Sequence, residues 1–379
     1  MKQINLFSVF ITNMLPFFIG VLLVINSFTS LRGVANSGPA EYLLFLGLFV
    51  LIYLKAIRNY NFNFRAILPL AYLLIFMAPL TFLNSYYELL GSSTRTLIAL
   101  IFGAISGFSL ANCTKLERDF ISYGILFVLM ITVYVILREY DFGTVQRLVF
   151  LSNNPNQIAL YSLGAMFLFS TSFQNPYVLF ISIVVGTIYG YLALSDSFFL
   201  SLVIALSFLI IKYVLRIKYF SILLLFWFIL FLISWPLLFP ENSYIEPLQE
   251  LWLSADQGGA RITLAINGIY AWLASPLFGN GAGAFSGMTI EFQRFEAHNT
   301  FIDFLTMGGI PWVLIIYLPV FIYMTKLFKQ GNFLALGFLV GFCIFSTFHF
   351  VGRHPIFWFV WGICMTSIPE IDGRKECVE

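Results

Sequence analysis

The chain is poor in most of what a soluble enzyme uses to build a surface and an active site. Charged residues make up 10% of its 379 positions, against about a quarter in an ordinary soluble domain. That excludes a water-facing surface of normal charge density. The four cysteines, Cys113, Cys343, Cys364 and Cys377, have no metal-ligand spacing, so a Cys/His zinc site is excluded and free thiols are expected. There is no Gly-x-Ser-x-Gly elbow and no phosphate-binding loop, which removes the signatures of esterases and P-loop enzymes. No Asp-x-Asp pair stands where it could hold a metal-bound diphosphate. No metal or other cofactor is expected. A cleavable signal peptide is also missing: the apolar run from Leu6 to Thr29 is too long for one and reads as an uncleaved first span.

What remains is apolar. Hydrophobic residues reach 60%, phenylalanine alone 45 positions, and mean hydropathy is +0.91. Apolar runs recur at the length of a bilayer-crossing helix, and no shorter alternating segments suggest a barrel. The reading is an all-α polytopic membrane protein with about 12 transmembrane helices. They are expected near 6–29, 41–57, 66–85, 96–112, 119–137, 156–173, 177–194, 198–215, 219–239, 309–327, 332–350 and 355–369. Residues 1–239 then hold nine spans with a short outer loop at 138–156, residues 240–308 form a large outer loop, and residues 309–379 hold three spans and a charged tail.

Basic residues set the orientation. With both termini in the cytoplasm, thirteen of the 20 lysines and arginines fall inside and seven outside. All the lysines are inside. The outer cations, Arg32, Arg95, Arg138, Arg147, Arg261, Arg294 and Arg353, are all arginine, whose planar fork suits phosphate oxygens. Arg32 and Arg95 read as interfacial anchors. An anionic ligand on the outer face is expected.

Three outer motifs could carry chemistry. Arg147 precedes Asn153-Asn154-Pro155-Asn156-Gln157, where Asn154 is a good N-cap and Pro155 suits the first helical turn. A helix starting there aims free N–H groups and its positive end at an anion, with Asn156 and Gln157 in the first turn. Arg261 follows Gly258-Gly259, glycines that permit close approach and positive φ. It opens a segment whose apolar residues recur at helical spacing through Leu273, an interfacial helix. Ser275-Pro276-Leu277-Phe278-Gly279-Asn280-Gly281-Ala282-Gly283 then ends that helix in a flexible turn. Last, Asn299 is placed to cap a short helix through Met307, closed by Gly308-Gly309. His298 would sit just outside its N-terminus, where imidazolium is disfavoured and a neutral, basic ring results. Glu296 and Asp303 are near enough in sequence to orient that ring. His349 and His354 read as structural.

In this order, Arg147 with Asn154-Pro155-Asn156, Arg261, Ser-Pro-Leu-Phe-Gly-Asn-Gly-Ala-Gly, and His298-Asn299-Thr-Phe-Ile-Asp-Phe-Leu with Gly308-Gly309-Ile310, the chain resembles the O-antigen ligase and polymerase superfamily of bacterial inner-membrane glycosyltransferases. The resemblance implies a C-type glycosyltransferase architecture with a periplasmic active face. It implies metal-independent, inverting transfer from an undecaprenyl-diphosphate-linked glycan donor to a glycan or lipid A–core acceptor. Arg147 and Arg261 would hold the lipid diphosphate, and His298 would activate the acceptor hydroxyl. Many relatives carry an arginine after a serine where this chain has Leu194-Ser195-Asp196-Ser197. Arg294 or Arg353 would have to replace it. The expected partners are these substrates and the lipid bilayer, with room for a chain-length regulator, and not nucleic acid. A polymerase joining repeat units is favoured by the short chain and the Asn-Pro-Asn-Gln turn. A ligase shares its donor chemistry. A lipid-linked glycan transporter would show broken midplane helices and internal repeats, and neither is present in the sequence.

Overall fold

The structure, a computed structural model, describes residues 6–28, 39–58, 60–84, 90–139, 155–193, 195–214, 258–286 and 295–366. Arg147, Asn154, Arg294, the expected span at 219–239 and the tail with Cys377 lie outside them. Every described element is helical. A chain this apolar has little water to satisfy its peptide groups, and helices satisfy them internally.

The elements are α1 (Leu6–Ile25), α2 (Pro39–Ile57), α3 (Leu68–Tyr72), α4 (Ala78–Asn84), α5 (Leu90–Ala111), α6 (Lys115–Glu139), α7 (Pro155–Ser172), α8 (Pro176–Tyr191), α9 (Asp196–Val214), α10 (Gly258–Ala274), α11 (Thr300–Lys329), α12 (Phe333–Ser346) and α13 (Pro355–Met365). A 3₁₀ turn (Phe64–Ile67) leads into α3, and a π turn (Leu73–Met77) joins α3 to α4. Five stretches are long and apolar enough to cross a membrane: Pro39–Ile57, Phe64–Leu83, Ser93–Ala111, Lys115–Ile136 and Thr300–Lys329. Shorter apolar helices lie at Met14–Ile25, Pro176–Tyr191, Asp196–Phe208, Phe333–Ser346 and Pro355–Met365.

Local chemistry sets the ends. The Asn175 side chain accepts from Tyr177 N and Val178 N ahead of Pro176, the pairing that starts helices best. At 30 residues α11 would run about 45 Å, beyond the roughly 30 Å apolar core of a bilayer. It does not run straight: Gly309 breaks it at φ 66°, ψ −165°. The remainder, 310–329, is about the length of one crossing. Small residues let backbones touch: a side chain on Gly20 or Gly124 would strike the facing main chain between α1 and α6, and one on Gly337 or Gly341 would strike α9.

One end of the bundle is tied by a buried ion pair. Lys55 Nζ donates to Glu117 Oε2 and to the Asn112 carbonyl, both at 2.6 Å. Asn112 Oδ1 accepts from Asn63 N at 2.6 Å, and Asn63 Nδ2 reaches the Met365 carbonyl at 3.3 Å. The ends of α2, α5, α6 and α13 are thereby joined. Breaking such a pair by removing one partner costs about 3–5 kcal/mol.

Candidate functional site

The starts of α7, α10, α11 and α13 gather at the other end. Asn299, in extended conformation, caps α11: its Oδ1 accepts from Phe301 N at 3.0 Å and Ile302 N at 3.2 Å. One turn inward, the fully buried Asp303 accepts from Ala297 N at 2.8 Å through Oδ1 and from Asn299 N at 3.3 Å through Oδ2. These two amides bracket His298. Among the described residues His298 is the one non-glycine with positive φ, 52°. A left-handed L-residue costs about 1–2 kcal/mol. The Asp303 clamp offsets that cost and fixes how the imidazole leaves the chain.

Thr300 fastens a second histidine to the same corner. Its Oγ1 donates to the His349 carbonyl at 2.6 Å and accepts from Val351 N at 2.9 Å. The His349 ring lies 4.6 Å from the Phe345 ring, and its Nε2 is 2.9 Å from Ser197 Oγ, which is 2.9 Å from Ser195 Oγ.

The electrostatics follow from this packing. His298 is pushed below its usual range, first by burial and then by the Arg261 and Arg353 guanidinium groups. It is therefore a neutral base near pH 7. Burial pushes His349 down to about 3, with Arg261 and His298 adding to it. Arg261 is itself lowered by burial, against the opposing field of Asp196. Arg353 forms a two-pronged pair with Glu296, Nη1 to Oε1 at 2.9 Å and Nη2 to Oε2 at 3.0 Å, over the Phe350 ring. Burial raises the Glu296 carboxyl and Arg353 opposes this.

These contacts correct three expectations. Glu296 and Asp303 do not orient the His298 ring: Glu296 faces Arg353, and Asp303 holds the backbone on either side of His298. Gly258 and Gly259 lie inside the first turn of α10 with no positive φ. The run Ser275–Gly283 is not a flexible turn but a docked one. Asn280 N donates to the Thr306 carbonyl at 2.8 Å, Gly281 N to the Met307 carbonyl at 2.9 Å, and Ile310 N to the Pro276 carbonyl at 3.1 Å. Asn280 Nδ2 adds bonds to the Ala271 and Thr306 carbonyls. The turn thus fills the break in α11. It is backed by the π turn, whose neighbour Tyr72 donates to the Gly308 carbonyl at 2.5 Å, and by Thr81, whose Oγ1 accepts from Ala282 N at 2.7 Å.

Arg261, His298, Asn299 and Arg353 are thus brought together. Asn156 and Gln157 stand in the first turn of α7. The Gln157 Oε1 is buried with no hydrogen-bond partner among the described residues, an acceptor awaiting a donor. One turn on, the Tyr161 ring meets the His354 ring edge-on at 6.3 Å, so this face of α7 borders the Arg353 corner. Sequence reasoning missed His349, Ser197, Thr300 and the clamp by Asp303. Only the acid four residues after Asn299, at helical spacing, signalled any of them.

No protein-family model matches the chain, and no curated protein matches it. The chemistry must therefore be read from the site. It offers one neutral imidazole, on a main chain clamped by Asp303 and in the field of the half-buried Arg261 guanidinium, at the positive end of a helix. That pairing suits removal of a hydroxyl proton next to a developing anion.

Proposed function

We propose that this chain is a glycosyltransferase of the bacterial inner membrane that polymerises undecaprenyl-diphosphate-linked repeat units into O-antigen or a related surface polysaccharide. The observation that carries the reading is the convergence of Arg261 on a clamped, neutral His298. The order of motifs resembling the O-antigen ligase and polymerase superfamily supports it.

In this reading the acceptor hydroxyl oxygen attacks the anomeric carbon of the donor glycan. Its proton passes to His298. The bond from the anomeric carbon to the diphosphate oxygen breaks with inversion, and its electron pair leaves on the diphosphate. Arg261, with Arg147, stabilises that charge by several kcal/mol in a partly dry site, and holding both lipid-anchored reactants in place supplies much of the rest. About twelve spans put this face in the periplasm and both termini in the cytoplasm. Among the described residues, Lys55, Arg58, Arg65, Lys115 and Arg118 lie at or next to the end tied by the Lys55–Glu117 pair, in keeping with that orientation. The outward face of α10, with Ile262, Ile266, Ile269, Tyr270 and Leu273 exposed, fits a helix lying in the outer leaflet.

The test is a gel of lipopolysaccharide and lipid-linked glycan from cells lacking the protein. Core lipid carrying a single repeat with no ladder supports the polymerase. Long glycan left on the carrier beside bare core makes it the ligase. His298→Ala should abolish transfer and leave movement of the lipid-linked glycan across the membrane intact. The opposite result would return a transporter.

A further inference from the structure

The hydrogen-bonded chain from His349 to Ser195 is not used by the reaction above, yet it lies against the reacting corner. It is rigid. The Ser195 carbonyl accepts from Phe198 N at 3.0 Å and Phe199 N at 3.1 Å, and the Ser197 carbonyl accepts from Ser201 Oγ at 2.6 Å. Thr300 ties the His349 main chain to the start of α11, beside His298. Resting on the transferase reading, we propose that His349, Ser197 and Ser195 form a subsite for the hydroxyl groups of the acceptor sugar, set apart from the diphosphate site at Arg261.

Hydrogen-bond bookkeeping picks the ligand class. If His349 Nε2 accepts from Ser197, and Ser197 from Ser195, the chain ends in free lone pairs. If Nε2 carries the proton, both bonds reverse and the chain ends in a free O–H. A three-member chain of this kind can therefore present an acceptor or a donor. A sugar hydroxyl is both and fits either state. A phosphate oxygen only accepts and fits one. Charge argues the same way. Asp196, between the two serines, sets a carboxylate at the start of α9, where its charge opposes an anion and its field falls on Arg261. His349 adds no positive charge, being neutral at any physiological pH. The corner is thus split into a cationic part at Arg261 and a neutral, hydroxyl-matching part at His349.

The experiment uses the full chain in lipid nanodiscs and two probes: repeat-unit oligosaccharide freed from the host's lipid carrier by mild acid, and inorganic pyrophosphate. Ser197→Ala and His349→Gln should each weaken oligosaccharide binding about three- to tenfold, the range for one neutral hydrogen bond. Pyrophosphate binding should stay within twofold. Arg261→Gln should do the reverse. Ser197→Thr, which keeps the hydroxyl, should restore oligosaccharide binding, and this guards against a variant that merely folds poorly. Loss of pyrophosphate binding in Ser197→Ala, with oligosaccharide binding unchanged, overturns the subsite, as does a wild type that binds pyrophosphate and not oligosaccharide. A wild type that binds neither probe overturns the transferase reading itself.

Discussion

Gly309→Ala tests the joint on which the site rests. The residue sits at φ 66°, ψ −165°, a region open in practice only to glycine and worth about 1–3 kcal/mol of strain to any other residue. An alanine Cβ there would also stand 2.3 Å from the Leu277 carbonyl oxygen. Backbone cannot rotate away as a side chain can, so the Ser275–Gly283 turn must move out of the break. That breaks the bonds from Asn280 N, Gly281 N and Ile310 N, at about 1 kcal/mol net each. Strain and bonds together weaken the docked turn by about 4–6 kcal/mol, or roughly three to four decades in the local opening equilibrium at 1.36 kcal/mol per decade. Hydrogen exchange of the protein in nanodiscs reads this directly. Amides of Gly281 and Ile310 should lose protection by that factor. Phe301 and Ile302, capped separately by Asn299, should keep theirs. Unchanged exchange at Gly281 and Ile310 would refute the claim that the turn holds the break.

Four further outcomes are expected. Because His298 titrates below its usual 6.5, transfer should persist as pH falls through 6.5 and decline only below it, as the ring gains its proton. Replacing Arg353 and its partner together, Arg353→Gln with Glu296→Gln, removes a guanidinium that disfavours imidazolium and should move that acid limb upward in a pH–rate profile. Asp303→Ala leaves the Ala297 and Asn299 amides without their acceptor, at about 1–3 kcal/mol each. It should cut transfer on the order of a hundredfold with helix content by circular dichroism retained. Lys55→Met strands the Glu117 carboxylate and should lower the thermal unfolding midpoint sharply, while Lys55→Met with Glu117→Gln recovers most of the loss.

Much of the architecture was legible in one dimension because its causes are local. Run length and composition announce apolar helices, and Asn175-Pro176, Asn299 and Pro355 mark where three of them start. The Gly308-Gly309 break followed from the residues that cannot continue a helix. A neutral His298 was expected from its place outside a helix terminus, but what lowers it is burial and the Arg261 and Arg353 guanidinium groups, which only the folded chain brings near. The partnerships were not legible. Glu296 and Asp303 both lie close to His298 in sequence, but one is drawn to Arg353 on a distant turn and the other is buried under the cap. Ser275–Gly283 has the composition of a loose loop, and only the carbonyls freed at Thr306 and Met307 make it a fitted plug. His349 and Ser197 are 152 residues apart, and each alone is an ordinary polar residue at a helix end. Sequence by itself determined where the backbone could be helical and where it must stop, since those are contests between neighbours along the chain. Tertiary structure decided which carboxylate met which cation and which histidine met which hydroxyl. Those contacts depend on distances through space that no spacing along the chain encodes.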